Sequence, residues 1–201
     1  MLLKGEYLSF LDINNFFDKN FFEQLINRID KSPPDILIYR YELYNETSNL
    51  FYKDNYSYEE IWPNITINYT SLPKKLFNTF GLCIWNKMFK LSFIKNNHLF
   101  FNNNSESCLL FMDFSLIKAD KINTLDKTVI FYNTTLIDRM EIKKDILGIY
   151  SDLIELKSIF QKENIFNVLS GNYKQHELNV NIKIINQSKN YLYIDKELKE
   201  Q

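Results

Sequence analysis

A strand, a polar turn and a helix closed by a proline pair constrain this chain more than any other stretch. Residues Gly5 to Asp18 read Gly-Glu-Tyr-Leu-Ser-Phe-Leu-Asp-Ile-Asn-Asn-Phe-Phe-Asp. Tyr7 to Leu11 is an aromatic and aliphatic run of strand length, and Asp12 to Asn15 is a turn. Asp18 suits a helix N-cap, because its carboxylate can accept the orphan amide protons of a first turn. Over Lys19 to Asp30, the side chains Phe21, Phe22, Leu25, Ile26 and Ile29 recur at helical spacing and predict one apolar face. Ser32-Pro33-Pro34 ends that helix, since proline cannot continue it. Asp35 to Tyr44 is a β-branched and aromatic run, a second strand. A strand–helix–strand unit of this kind implies parallel strands joined by a right-handed crossover. The class is therefore α/β. A strand end that drops an acidic residue into a turn is where such proteins commonly hold metals and phosphates.

The remaining pattern is less regular. Residues 45–71 are polar and Tyr- and Asn-rich, and read either as a loop over a site or as two short strands. A short helix is expected from Leu72 to Phe80, with Pro73 acceptable in its first turn. Leu91 to Asn96 is amphipathic. Glu106 to Lys118 reads as a helix with Leu110, Phe114 and Ile117 on one face. Ile122 to Tyr132 is a strand expected to turn at Asp126-Lys127. Met140 to Glu163 is the clearest helix, with Ile142, Ile146, Ile149, Leu153, Leu156 and Phe160 at steps of four and three. That seam either packs on the domain or meets a partner helix. Leu178 to Ile185 reads as a strand, and Asp195 to Gln201 as a charged tail.

Composition narrows the function. The 201 residues carry Lys+Arg 24 against Asp+Glu 25, a formal net charge of −1, which gives no field attracting nucleic acid. Cys83 and Cys108 sit in apolar runs and read as free thiols of a reducing compartment. His98 and His176 lack the spacing of a zinc site. The N-terminal residues lack the charged and apolar regions of a signal peptide, and no stretch approaches the roughly 20 apolar residues of a membrane span. A cytoplasmic protein is expected, either free or peripheral to the inner face of the membrane.

Three segments, taken in order and spacing, resemble the bacterial family-2 glycosyltransferases of GT-A fold. The first is Gly5-Glu-Tyr-Leu-Ser-Phe-Leu-Asp12-Ile-Asn14-Asn-Phe-Phe, similar to the strand and Asp-x-Asp turn of that family. The second is Cys83-Ile-Trp85-Asn86-Lys87-Met-Phe-Lys90, similar to its Trp-Asn-Lys-Leu-Phe-Lys segment. The third is Ser105-Glu106-Ser107-Cys108-Leu-Leu-Phe111 with the strand to Phe131-Tyr132, similar to its Glu-Asp-x-x-Phe helix and Tyr-Tyr-Arg end. The resemblance implies a partial GT-A-like mixed sheet flanked by helices, with a C-terminal helical extension. Residues 1–135 would be the acceptor-side part of the domain, and residues 136–201 the extension.

The chemistry implied is transfer of a sugar from a nucleotide-sugar donor to a surface-glycan acceptor, with inversion. Asp12 would hold Mg²⁺ or Mn²⁺ against the leaving diphosphate, and Asp12 and Asn14 would contact the donor. Trp85, Asn86 and Lys87 would contact the acceptor. Glu106 would stand in as the base that takes the acceptor proton, with Asp113 a more distant substitute. Several positions depart from the family. Asn14 replaces a second acid, and a neutral amide is a poorer ligand for a hard cation. The Glu-Asp pair falls on Ser107-Cys108 if Phe111 marks the family's Phe, or on Glu106-Ser107 with a slip of one, and Asn133 stands where the family has arginine. Four residues precede the first segment, where the family has a nucleotide-binding βαβαβ half. A truncated or split enzyme with a companion chain is one reading, and a non-catalytic glycan-binding or scaffolding protein on the same fold is the other. In the second, Trp62, Trp85 and a Tyr-rich surface would stack on sugar rings.

Overall fold

A computed structural model describes residues 4–53, 65–73, 76–80, 83–101, 108–136, 139–162, 165, 167 and 169–182. The chain divides into two compact units, residues 1–100 with 111–137, and residues 101–110 with 138–201.

The first unit is built on a mixed sheet. Its described strands are β1 (Tyr7–Ser9), β2 (Asn15–Phe17), β3 (Ile36–Asn45), β4 (Leu50–Tyr52), β5 (Thr66–Ile67), β6 (Lys87–Lys90) and β7 (Ile122–Asn133). The order is β1-β6-β3-β7-β2, with β4 beside β3 and β5 beside β7. β3 and β7 pair in parallel from Ile36↔Ile122 to Tyr44↔Asn133. β6 is antiparallel to both β1 and β3, so β1 and β3 run in the same direction without touching. The expected strand–helix–strand unit is therefore parallel in sense, but β6 sits between its strands. Residues 45–71 resolve, where described, into the two short strands β4 and β5.

The sheet must curl. β1 and β2 lie at opposite ends of the strand order, four spacings of about 4.8 Å apart, or roughly 19 Å. Six Cα steps from Ser9 to Asn15 reach at most roughly 20 Å when fully extended. The connection is not extended, because it contains the turn in which the Asn15 N–H donates to Asp12 O at 3.0 Å. The register between β3 and β7 slips around Tyr39, Arg40 and Tyr41, opposite Leu125 to Ile130. A bulge bends a strand and increases its twist. Asp126 and Lys127, expected to make a turn, are the exposed residues of this irregularity within one continuous strand.

The core explains the rest. Ile36, Leu37, Ile38 and Tyr39 are fully buried because both faces of β3 are covered. α1 (Phe21–Lys31) buries Phe21, Leu25 and Arg28, while Phe22 and Ile26 stay mostly exposed, so its buried face is narrower than the apolar pattern implied. Arg28 Nε donates to Thr124 O at 3.1 Å, and burial lowers its pKa. The helix begins later than expected. Asp18 Oδ1 accepts the Asn20 N–H at 2.8 Å, and Asp18 thus caps the turn ahead of α1, whose N-cap position is Asn20. α2 (Leu76–Phe80) and α3 (Leu91–Asn96) are short. α4 (Leu109–Lys118) buries Leu109 to Asp113 and Ser115 to Ile117, more than the single face predicted.

In the second unit, α5 (Arg139–Lys162) buries Leu153, Leu156 and Phe160, so this part of the seam packs within the chain. A further helix, α6 (residues 169–182), buries Leu169, Asn172, Tyr173, His176 and Val180 at steps of three and four. The strand expected over Leu178 to Ile185 is thus helical through residue 182, because burial there follows helical spacing. Tyr173 hydroxyl donates to Leu153 O at 2.8 Å, and its ring lies edge-on to Phe160. Asp152, fully buried, accepts the Leu110 N–H at 3.0 Å and supplies an acceptor to the first turn of α4.

Candidate functional site

The parallel strands β3 and β7 end together, Tyr44 opposite Asn133, and strand ends of this kind are where open α/β sheets bind ligands. Connections bring three further pieces there. The turn after β1 holds Asp12 and Asn14. The segment entering antiparallel β6 holds Trp85 and Asn86. β2 starts there, with Asn15 opposite Tyr132 of β7. The Asp12–Asn15 turn and the Trp85 ring thus both meet β7 at Tyr132 and Asn133, whereas Asn86 and Lys87 lie further along the sheet, level with Tyr39 and Ile38.

These residues are held very differently. Asn86 and Lys87 are fully buried, Lys87 being the first residue of β6, so neither is an exposed helix-start residue. Lys87 Nζ donates to Asn86 Oδ1 at 2.8 Å and to Cys83 O. Asn86 Nδ2 donates to Tyr39 O at 3.3 Å, and the Tyr39 N–H donates to Asn86 O at 3.1 Å. The Tyr39 hydroxyl lies 3.2 Å from Trp85 O and 3.1 Å from Ser9 Oγ, and Ser9 donates to Lys87 O. Burial raises the pKa of Tyr39 well above the usual phenol, opposed by its hydrogen bond with Ser9. This network presents Trp85. Its ring is half-buried, stacks on Tyr132 at 5.2 Å with an interplanar angle of 13°, and meets Tyr41 edge-on at 4.5 Å.

The Asp12 turn is open by contrast. Asp12 is exposed, and Ile13 is 94% exposed. Asp12 Oδ1 accepts the Asn14 N–H at 2.8 Å, and Asn15 Oδ1 accepts the Asp12 N–H at 2.8 Å. Asn14 O accepts the Asn133 N–H at 2.8 Å, which ties the turn to β7. Asn14 itself is 7% exposed, and its Oδ1 is closed to solvent and accepts no hydrogen bond. Asn133 Nδ2 donates to Glu46 Oε2 at 3.1 Å, and Glu42 accepts from Thr128. The Arg40 guanidinium pairs with Asp126.

Mg²⁺ takes about six oxygen ligands, usually one or two protein carboxylates completed by waters and substrate phosphates. The turn leaves Asp12 Oδ2 as its open carboxylate oxygen, and position 14 points its amide oxygen into the protein. Among the described residues no three His, Cys, Asp or Glu side chains gather as a metal group. The donor set does not fit a divalent-metal centre built on Asp12 and Asn14. Glu106 and Trp62 lie outside the described residues. Cys108 is half-buried just before α4, and Asp113 is 1% exposed.

Four residues were given no site role by the sequence, although Ser9 and Tyr132 lie in segments that carry the resemblance. Ser9, Tyr39, Tyr41 and Tyr132 reach the site through contacts remote in sequence. Only the aromatic spacing at Tyr39, Tyr41 and Tyr132 hinted at them.

Known proteins show what this arrangement is similar to. The glycosyltransferase GlyA of Streptococcus pneumoniae is 27% identical over 93 residues, 44% of this chain and 13% of GlyA. The crystal structure of S. aureus TarS 1–349 matches with TM-score 0.61 at 18% identity, over 87% of this chain and 48% of that one. The same protein in complex with UDP-GlcNAc matches with TM-score 0.61 at 15% identity, over 87% and 49%. This is a glycosyltransferase fold. Its mixed sheet and flanking helices are GT-A-like, as the sequence led one to expect. No family model matches the chain. The chain spans about half the length of the TarS structures and far less of GlyA. Among the described residues, no helix of this glycosyltransferase-like chain is long and apolar enough to cross a membrane.

Proposed function

We propose that this chain is the acceptor-side part of a family-2-type sugar-transfer domain, acting on a nucleotide-sugar donor and a surface-glycan acceptor in the cytoplasm. The observation that carries this reading is the convergence of the Asp12 turn and the Trp85–Tyr132 stack where β3 and β7 end. An aromatic face with a hydrogen-bonding carboxylate beside it suits a sugar, whose ring offers apolar C–H faces and a hydroxyl periphery. Trp85 would supply the face. Asn86 and Lys87 would serve the acceptor by fixing the segment that carries it.

The donor side would come from a companion chain. β1 ends the strand order of the described sheet, and Leu11 just after it is 58% exposed. An open strand edge is a template for another strand, and a nucleotide-binding half pairing there would complete the crevice. Co-expression with the product of the reading frame immediately upstream tests this. The pair is expected to turn over UDP-sugars when the chain alone does not. Turnover by a soluble monomer of this chain alone would refute the split arrangement.

The second reading is a glycan-binding protein without transfer, favoured by Ser107-Cys108 standing where the family carries its acid pair. Glu106 separates the two. In an enzyme Glu106→Gln abolishes turnover and spares glycan affinity; in a binding protein calorimetry finds glycan affinity and no turnover in either form.

A further inference from the structure

We infer that the Asp12–Asn15 turn meets its ligand without a divalent cation, and that position 14 is a structural position rather than a vacated metal ligand. The replacement of an acid by Asn14 in the sequence would by itself suggest a site one substitution away from holding a metal. The structure says more. Asn14 is 7% exposed, and its Oδ1 is closed to solvent with no hydrogen-bond donor. Its backbone carbonyl accepts the Asn133 N–H, and its N–H donates to Asp12 Oδ1, so both main-chain groups hold the residue in place. A carboxylate at 14 would stand in the same closed position and bear a desolvation cost that the neutral amide avoids.

Two further oxygens of the turn are engaged as well. Asp12 O accepts from the Asn15 N–H, and Asn15 Oδ1 accepts from the Asp12 N–H. Asp12 Oδ2 is left facing outward as a single acceptor, suited to a ligand hydroxyl in the way exposed carboxylates hold sugar hydroxyls. Glu42 and Glu46, the other acids near these strand ends, are bonded to Thr128 and Asn133. They do not complete a metal group with Asp12.

The cation claim stands on this geometry alone; only the ligand-hydroxyl role rests on the sugar-transfer reading. The full chain is titrated with Mn²⁺ and followed by the electron paramagnetic resonance signal of the free ion, in wild type, Asp12→Asn and Asn14→Asp. Wild type and Asp12→Asn are expected to give the same curve within twofold. Asn14→Asp is expected to gain no Mn²⁺ site and to melt at a lower temperature. Stoichiometric Mn²⁺ binding that Asp12→Asn removes overturns the inference, as does a new site in Asn14→Asp. Any Mn²⁺ binding that Asp12→Asn leaves intact lies away from the turn and supports it. Should Asn14→Asp fail to fold, the exposed Asp12→Asn pair still decides. In parallel, the UDP-GlcNAc affinity of the chain together with its upstream companion is measured in EDTA and in Mn²⁺. Equal affinities support the inference, and a Mn²⁺ requirement lost in Asp12→Asn overturns it. No binding in either condition counts against the donor reading, while the Mn²⁺ titration still decides the cation claim.

Discussion

Residues 83–87 and residues 12–15 both meet β7 near its end and resemble motifs of the same family, yet they are built in opposite ways. In the first, Asn86 and Lys87 are fully buried and their side chains hydrogen-bond to Tyr39 O, Cys83 O and each other. In the second, Asp12 and Ile13 face outward and the turn is closed mainly by its own hydrogen bonds. The difference shows that a motif residue can matter by placing a neighbour. Lys87 holds the backbone that carries Trp85, whereas Asp12 is exposed and bonds only within its own turn. Substitution in the first stretch should therefore act on stability, and in the second on binding.

The largest effect is expected at Lys87. Lys87→Ala leaves a cavity and strips donors from Cys83 O and Asn86 Oδ1, and should cost about 3–4 kcal/mol in a urea unfolding series. A cost below 1 kcal/mol would mean that the segment is not locked. Next comes Trp85. Trp85→Ala removes the half-buried ring from Tyr41 and Tyr132 and should cost about 2 kcal/mol, together with most of the glycan affinity measured by calorimetry. Loss of stability with full affinity would leave the ring a packing element only.

The strand that feeds the open turn gives a pH test. Tyr7 donates its hydroxyl proton to Pro34 O, and its pKa is pushed up to about 12 by burial, then by Asp35 and Glu6. The folded chain therefore favours the protonated phenol. Its contribution is complete below the unfolded value near 10 and is lost as pH rises from there through 12. Tyr7→Phe should flatten that part of the alkaline stability profile; an unchanged slope would contradict the assignment. The smallest stability effect belongs to Asp12. Asp12→Ala should cost about 0.5–1 kcal/mol, from the single bond to the Asn14 N–H, while lowering ligand affinity about tenfold. A stability loss as large as that of Lys87→Ala would erase the contrast between the two stretches.

Long periodic elements were legible in the sequence. α5 and β3 lie within a residue or two of the expected bounds, since their apolar spacing extends over many positions. β2 and β6 were not legible: strands of three and four residues are too short for a period to emerge, and partners from β7 and β3 define them. Leu178, Val180 and Ile182 alternate like a strand, but packing against α5 buries Val180 and leaves Leu178 and Ile182 exposed, the result of a helical face. At the site, the Asp12 turn was legible as an acidic turn after a strand, and Trp85 through the resemblance of its segment to a family motif. Tyr132 and Tyr39 were not, because the stack on Trp85 and the bond to Trp85 O join strands far apart in the chain. The burial of Lys87 was equally hidden, since lysine is almost never fully buried unless its charge is partnered.

The account rests on one rim of the sheet being the ligand surface of a sugar-transfer fold. Hydrogen–deuterium exchange of the full chain, with its upstream companion and with or without UDP-GlcNAc and glycan acceptor, tests that most directly. The expected result is ligand-dependent protection concentrated at residues 10–15, 83–87 and 130–133. Protection elsewhere in the chain, or unchanged exchange at all three segments with ligand bound, would contradict it.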